Sequence, residues 1–313
     1  MQVVIDVAIP VFGIILCGYL SGRVRLIDSN GSEAINSFVY WFALPPLIFI
    51  SVVETRVSEI LHLDFIISVS LGVVITGIIA ALVGRYLFQN RGSTNALHAM
   101  TALFSNTGYM GIPLFISAFG EERVLPAIIA TVLNMLFYGV MSAWVTATNV
   151  KTTGDGAPNI PKKVFHSLIK NPLVIAPILG IAISSADMVV PSPITNVCRI
   201  LGAAAAPGAL FALGLFLVGQ SISSGLKEVG WMVFLKLFFQ PLVTAFLVFY
   251  VFDMDGFWAM SAILLAALPT GALVFVTAQQ NKVFIQRASA AIVVTTLTSV
   301  ITLMALLAWF ANA

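Results

Sequence analysis

A run of polar and helix-breaking residues interrupts an apolar stretch long enough to cross a membrane. Phe104-Ser105-Asn106-Thr107-Gly108-Tyr109-Met110-Gly111-Ile112-Pro113 lies inside a segment running from Ala96 to Phe119. Gly108 and Gly111 weaken a helix, and Pro113 lacks an N–H and clashes with the preceding turn. In hydrocarbon a broken helix leaves peptide groups without partners, at a cost of several kcal/mol each. A break is therefore tolerated only where protein buries it or where it lines a polar cavity. Asn106, Thr107 and Tyr109 place polar groups at the same depth. Glycine and proline are also commoner in membrane helices than in soluble ones, so one interrupted span equally fits a kinked helix. A second interruption at the matching place elsewhere in the chain is the discriminating observation.

Composition supports the membrane assignment. Of 313 residues, 59% are hydrophobic and only 9% charged, against roughly 25% charged in a soluble domain. No basic region precedes the first apolar run, which reads as a retained span rather than a cleaved signal. Cys17 and Cys198 lie in or beside apolar runs, which argues against a disulfide framework or a thiolate metal site. His62, His98 and His166 share no metal-ligand spacing, so no metal and no cofactor is expected. A nucleotide-driven pump would need a Gly-rich phosphate loop and a soluble domain to hold it. Chemistry inside the bilayer would need a buried acid pair, a Ser/His pair or a metal cluster. The sequence displays none of these, so an intramembrane enzyme is disfavoured, and no nucleic-acid partner is expected.

A span needs about 17–25 mostly apolar residues. Ten are legible: Ile5–Ser21, Ser32–Val53, Phe65–Phe88, Ala96–Phe119, Val124–Val145, Pro172–Met188, Ile194–Gly219, Gly230–Phe252, Phe257–Gln279 and Ala288–Phe310. The one long polar connection, Thr146–Lys170, contains Gly154, Asp155, Gly156, Pro158 and Pro161 and reads as a cytoplasmic linker. Numbering the loops alternately places eleven Lys or Arg on one side, among them Arg91, Lys151, Lys227 and Arg287. Arg56, Arg123 and Arg199 fall on the other, with Glu54, Glu59, Asp64 and Asp255. The positive-inside rule makes the basic side cytoplasmic, which puts both termini outside. Lys236, six residues into the eighth span, is about 9 Å from Gly230 at 1.5 Å per residue. A lysine can snorkel that far to the membrane surface.

The halves repeat. Pro10 and Gly18 are eight apart, as are Pro172 and Gly180; Gly18 to Pro45 and Gly180 to Pro207 are both 27. Thr107-Gly108 is echoed by Thr270-Gly271 at an offset of 163, and Arg123 and Thr131 by Arg287 and Thr295 at 164. Five spans per half force the second copy to enter the membrane inverted, an architecture of secondary transporters. The expected layout is an all-α membrane protein of ten transmembrane helices. Residues 1–145 form the first five-helix repeat, 146–170 the linker and 171–313 the second, inverted repeat.

The second interruption falls at the matching place. Ala267-Leu268-Pro269-Thr270-Gly271 puts Pro269 and Gly271 in the middle of the ninth span, with Phe275, Thr277 and Gln279 just beyond. Fourth and ninth helices are expected to be broken and to cross. A half-helix starting after a break directs free N–H groups and a positive dipole end at the crossing. Two such ends favour an anionic group, such as a carboxylate, without lysine or arginine.

Asn106-Thr107-Gly108-Tyr109-Met110-Gly111-Ile112-Pro113 resembles the fourth-span crossover of the auxin efflux carrier family. Ala266-Ala267-Leu268-Pro269-Thr270-Gly271, followed by Phe275-Val276 and Ala278, resembles its ninth-span crossover. Asn171-Pro172-Leu173-Val174-Ile175-Ala176 is similar to the family's opening of the second half. The resemblance implies a scaffold of the first, second, sixth and seventh spans and a transport unit of the other six. It also implies a homodimer through the scaffold, and export of auxin or, in bacterial members, movement of small carboxylates. The short central loop matches the bacterial kind. Substrate-binding candidates are Asn106, Thr107, Tyr109, Pro113, Pro269, Thr270 and Gly271. The resemblance also places an acid linked to proton handling near Asp64. Thr107 and Thr270 equally suit the task of satisfying carbonyls freed at the breaks. The alternatives are a sodium-coupled carrier like the bile acid symporters and an anion channel, in which breaks line a pore.

Overall fold

The computed structural model describes residues 2–153, 160–186, 188–220, 222 and 225–310. Helices dominate, and the only β-type pairing among them is one isolated antiparallel bridge, Ser105 with Thr270. Seven helices among the described residues are long and apolar enough to cross a membrane: Asp6–Arg23, Ser29–Val53, Leu63–Tyr86, Leu125–Asn149, Ser192–Phe216, Leu226–Val251 and Ile285–Phe310. Thr107–Phe119, Pro172–Ser185 and Gly256–Ala266 are apolar but shorter. The molecule is an all-helical, multi-pass integral membrane protein. Helices Leu125–Thr153 and Ile160–Ile169 reach into the polar connection from either side. The turn-forming Gly154, Asp155, Gly156 and Pro158 lie outside the described residues.

Wide turns, in which an N–H bonds the carbonyl five residues back, recur in these helices. Leu44 N bonds Val39 O, and Gln240 N bonds Leu235 O. Three such turns, Val39–Ala43, Thr107–Gly111 and Leu235–Phe239, end two residues before Pro45, Pro113 and Pro241. The cause is local. Proline has no N–H and its ring collides with the carbonyl of the preceding turn. Opening that turn by one residue relieves the collision without ending the helix.

The chain forms two compact units. The first comprises Met1–Leu63, Thr107–Val132 and Ile169–Val218. Its helices meet through glycines. Gly18 lies against the backbone of Phe211, and Gly214 against Ile15 and Tyr19. A Cβ on Gly180 would come within 2.9 Å of Val52 Cβ, and one on Gly202 within 3.2 Å of Leu47 Cα. Lipid supplies no hydrophobic drive for helix association, so close backbone approach at small residues does the work. An exposed ion pair joins Arg199 Nη2 to Glu54 Oε1 at 2.6 Å.

The second unit comprises Asp64–Asn106, Leu133–Leu168 and Gly219–Ala313. Leu226–Val251 packs here against Gly92–Leu103, Gly256–Ala266 and Ile285–Phe310. Polar side chains are buried along these contacts. Glu228 accepts from Asn90 Nδ2 at 2.5 Å and pairs with Arg287 Nη1 at 2.7 Å. Its Oε1 also lies 2.8 Å from Nδ1 of the fully buried His98.

Candidate functional site: two helix ends paired by backbone

Both interruptions are present, and the second unit brings them together. Helix Gly92–Leu103 ends at Phe104, whose φ of −84° and ψ of 105° are extended. Helix Gly256–Ala266 ends at Ala267, and the next begins at Leu273. Between these ends the two chains run antiparallel for one bridge. Asn106 N donates to Pro269 O at 2.8 Å, and Gly271 N donates to Phe104 O at 3.0 Å. Backbone groups that a broken helix would leave bare are thus paired across the breaks.

The first break is displaced from where glycine and proline spacing put it. Thr107–Phe119 is a continuous helical segment, and Pro113 sits buried within it. The wide turn Thr107–Gly111 absorbs Pro113, so the chain opens upstream, at Phe104–Asn106. Tyr109, in that turn, donates its hydroxyl to Asn36 Oδ1 at 2.7 Å within the first unit. Gly108 is buried beside Thr131, whose Cγ2 would lie 3.6 Å from an added Cβ. Thr107 is buried too. Asp64 stands exposed in the first turn of helix Leu63–Tyr86.

At the second break Thr270 is engaged through both its backbone N and its side chain. Thr270 N donates to Thr295 Oγ1 at 3.1 Å, and Thr270 Oγ1 donates to Thr101 O at 2.8 Å. Thr101 lies in the last turn of its helix, where carbonyls have no helical partner. Gly271 is required by packing: a Cβ there would stand 2.5 Å from Cε1 of Phe104. In the helix beyond, Val274 N and Phe275 N bond back to Gly271 O and Ala272 O at 3.3 and 3.0 Å. Two first-turn N–H groups are therefore already used. Thr277 Oγ1 donates to Tyr138 OH at 3.0 Å, and the Tyr138 ring lies 5.6 Å from that of Phe104.

Asn106 differs. It is 6% exposed, and its amide Nδ2 has no hydrogen-bond partner among the described residues. An unpaired buried donor costs about 1–3 kcal/mol, so an amide held this way is a donor in want of an acceptor.

One residue of the site was misjudged from sequence. Lys236 does not snorkel: it is 0% exposed. Its Nζ donates to Gln240 Oε1 at 2.6 Å and to Ala266 O at 2.7 Å. Gln240 Nε2 in turn donates to Leu103 O at 3.2 Å. Leu103 and Ala266 are the final residues of the two helices that end at the breaks. Distance along the helix from Gly230 carried no information about which face the lysine occupies. A usable signal was present, since an ionisable residue within a span points to function by default. Gln240 follows it by four residues, on the same helix face.

The sequence is similar to those of several transporters. A model of the family described as "Membrane transport protein" matches residues 3–307. A protein of Rhizobium meliloti (strain 1021) named "Putative malonate transporter" is 33% identical over 98% of this chain and 96% of its own. An "Uncharacterized transporter" of Escherichia coli (strain K12) is 25% identical, over 94% of this chain and 93% of its own. Auxin efflux carrier component 8 of Arabidopsis thaliana is 24% identical, with coverages of 88% and 89%.

Proposed function

The chain belongs to the membrane transport protein family, that of the auxin efflux carriers, and from that premise we propose that it is a secondary carrier of small carboxylates. It is a transporter and not an enzyme. The observation that carries the anion reading is the buried, unpartnered Nδ2 of Asn106 at the paired breaks. A carboxylate oxygen is the acceptor that such a donor lacks, and charge-assisted bonds are the stronger kind. Under this proposal Asn106 contacts the substrate, while Pro269, Thr270 and Gly271 frame it from the opposite strand. A relative named for malonate supports a short-chain carboxylate.

The reading includes ten spans in two inverted repeats. In its support, the segments Phe104–Asn106 and Pro269–Gly271 at the two breaks pair through backbone hydrogen bonds. The repeat partners Thr131 and Thr295 each lie against the Thr-Gly pair of their own half: Thr131 beside Gly108, and Thr295 bonded to Thr270. Gly18 of the first span packs on the seventh, and Gly180 of the sixth packs on the second. Sidedness is internally consistent. Glu54 pairs with Arg199, both assigned to the outer side, and Arg287 pairs with Glu228 from segments assigned inside. The basic side then faces the cytoplasm, in the cell membrane, with both termini outside. The first unit contains the first, second, sixth and seventh spans, the set expected of a scaffold, together with Thr107–Val132 from the fourth and fifth.

The test is flux into proteoliposomes. Labelled malonate or malate should enter saturably, and unlabelled substrate inside should drive counterflow of label. Asn106→Ala should weaken binding about ten-fold, the loss of roughly 1.4 kcal/mol of hydrogen bonding. Flux that never saturates and shows no counterflow identifies a channel. Undiminished carboxylate binding by Asn106→Ala removes the breaks as the site.

A further inference from the structure

We infer that Lys236 is a built-in cation of the crossing, occupying the position that a bound coupling cation would otherwise fill. The argument starts from the two helices that end there. A helix C-terminus carries unsatisfied carbonyls and about half an elementary negative charge. Two such ends meet at the breaks, those of Gly92–Leu103 and Gly256–Ala266. Together they amount to about one negative charge. In secondary transporters, carbonyls at half-helix ends coordinate sodium or hold a proton. Here the terminal carbonyls have other partners. Ala266 O receives Lys236 Nζ at 2.7 Å, and Leu103 O receives Gln240 Nε2 at 3.2 Å. Because that amide nitrogen faces Leu103, its oxygen faces the lysine, at 2.6 Å. The ammonium thus sees acceptors, one from each of two chain segments, and is linked through Gln240 to the third.

Lys236 is 0% exposed and has no counter-ion beside it among the described residues. Burying a cation away from a counter-charge is costly, and packing alone favours an apolar residue of similar volume. The negative ends of two helices are the compensating charge. The local backbone is shaped to deliver it: Lys236 lies in the wide turn Leu235–Phe239 that precedes Pro241. Such turns rotate the residues that follow and are frequent at functional positions. With the cation covalently attached, the crossing needs no sodium from solution. Emptying the position leaves acceptor oxygens, from Gln240 and Ala266, that a small monovalent cation can occupy.

The experiment is thermal melting of the purified, detergent-solubilised protein without substrate, so its failure is distinguishable from failure of the carboxylate reading. Salts at matched ionic strength are compared: sodium chloride, methylammonium chloride and choline chloride. Wild-type protein should melt at the same temperature in all three. Lys236→Ala should melt roughly 5 °C or more lower in choline. Sodium or methylammonium should then restore part of the loss, saturably. Lys236→Met keeps the bulk without the charge; it should also melt lower and should not respond to cations. Three results overturn the inference: saturable stabilisation of wild type by sodium, a Lys236→Met protein as stable as wild type, or a Lys236→Ala protein that no small cation restores. If Lys236→Ala does not survive purification, Lys236→Met and the wild-type cation series decide.

Discussion

The two breaks are echoes of one another in sequence and unequal in chemistry. At Ala267–Ala272 Thr270 bonds within the protein through both its backbone N and its hydroxyl, and in the helix beyond Val274 and Phe275 bond back through their backbone N. At Phe104–Asn106 the backbone is equally well paired, yet the Asn106 amide nitrogen is left over. The same contrast separates the glycines. Gly271 has no room for a methyl group beside Phe104, whereas Gly108 would place one at ordinary contact distance from Thr131. On the proposed function, one break acts as the rivet and the other as the recognition element. A repeat can conserve the geometry of a crossing while dividing its labour, because hydrogen-bond demand is met side chain by side chain.

Four substitutions bear on this contrast, in falling order of effect. Gly271→Ala forces a Cβ into the Phe104 ring; overpacking of this kind costs about 1–3 kcal/mol or more. Melting temperature and carboxylate binding should fall together, and a variant with wild-type values for both would show that the bridge can shift freely. Thr270→Val strands the carbonyl of Thr101 and removes a bond between chain segments, a loss of about 1–3 kcal/mol. Its melting should drop while Thr270→Ser stays near wild type. If instead binding falls with melting unchanged, Thr270 is a ligand and the division of labour is wrong. Asn106→Ala should show the reverse pattern: binding down about ten-fold, melting unchanged or slightly raised, since an unpaired donor has been removed. Gly108→Ala should be close to neutral, within about 0.5 kcal/mol by urea or thermal unfolding. A large loss there would mean that the helix following the first break is as tightly packed as the second break.

A second buried network, around Glu228, has no counterpart in the sequence argument. Asn90, His98 and Arg287 converge on one carboxylate from three separate segments. Their positions, 90, 98, 228 and 287, share no spacing that a motif would reveal. Sequence alone shows Arg287 as a basic residue of the cytoplasmic side and the repeat partner of Arg123, and His98 as lacking metal-ligand spacing. The ring of Phe284 adds a cation–π face 5.5 Å from the Arg287 guanidinium.

What the sequence by itself determined is the set of properties written in local composition. The apolar runs are long because hydrocarbon demands about 20 residues of helix. Glycine and proline within them announce two interruptions, because each weakens the helical ladder wherever it stands. The family followed from the residues at those interruptions. Tertiary structure decided where the first break opens and what fills it. Pro113 could be absorbed by a wider turn, so the chain parts instead at Phe104–Asn106, where Pro269–Gly271 offers the missing backbone partners from 163 residues away. It likewise decided the direction of Lys236. A helical position fixes height along an axis, but the neighbours fix which face is buried, and the wide turn ahead of Pro241 turns that face. Only the meeting of two helix ends, each short of donors, makes an interior ammonium more favourable than one at the membrane surface.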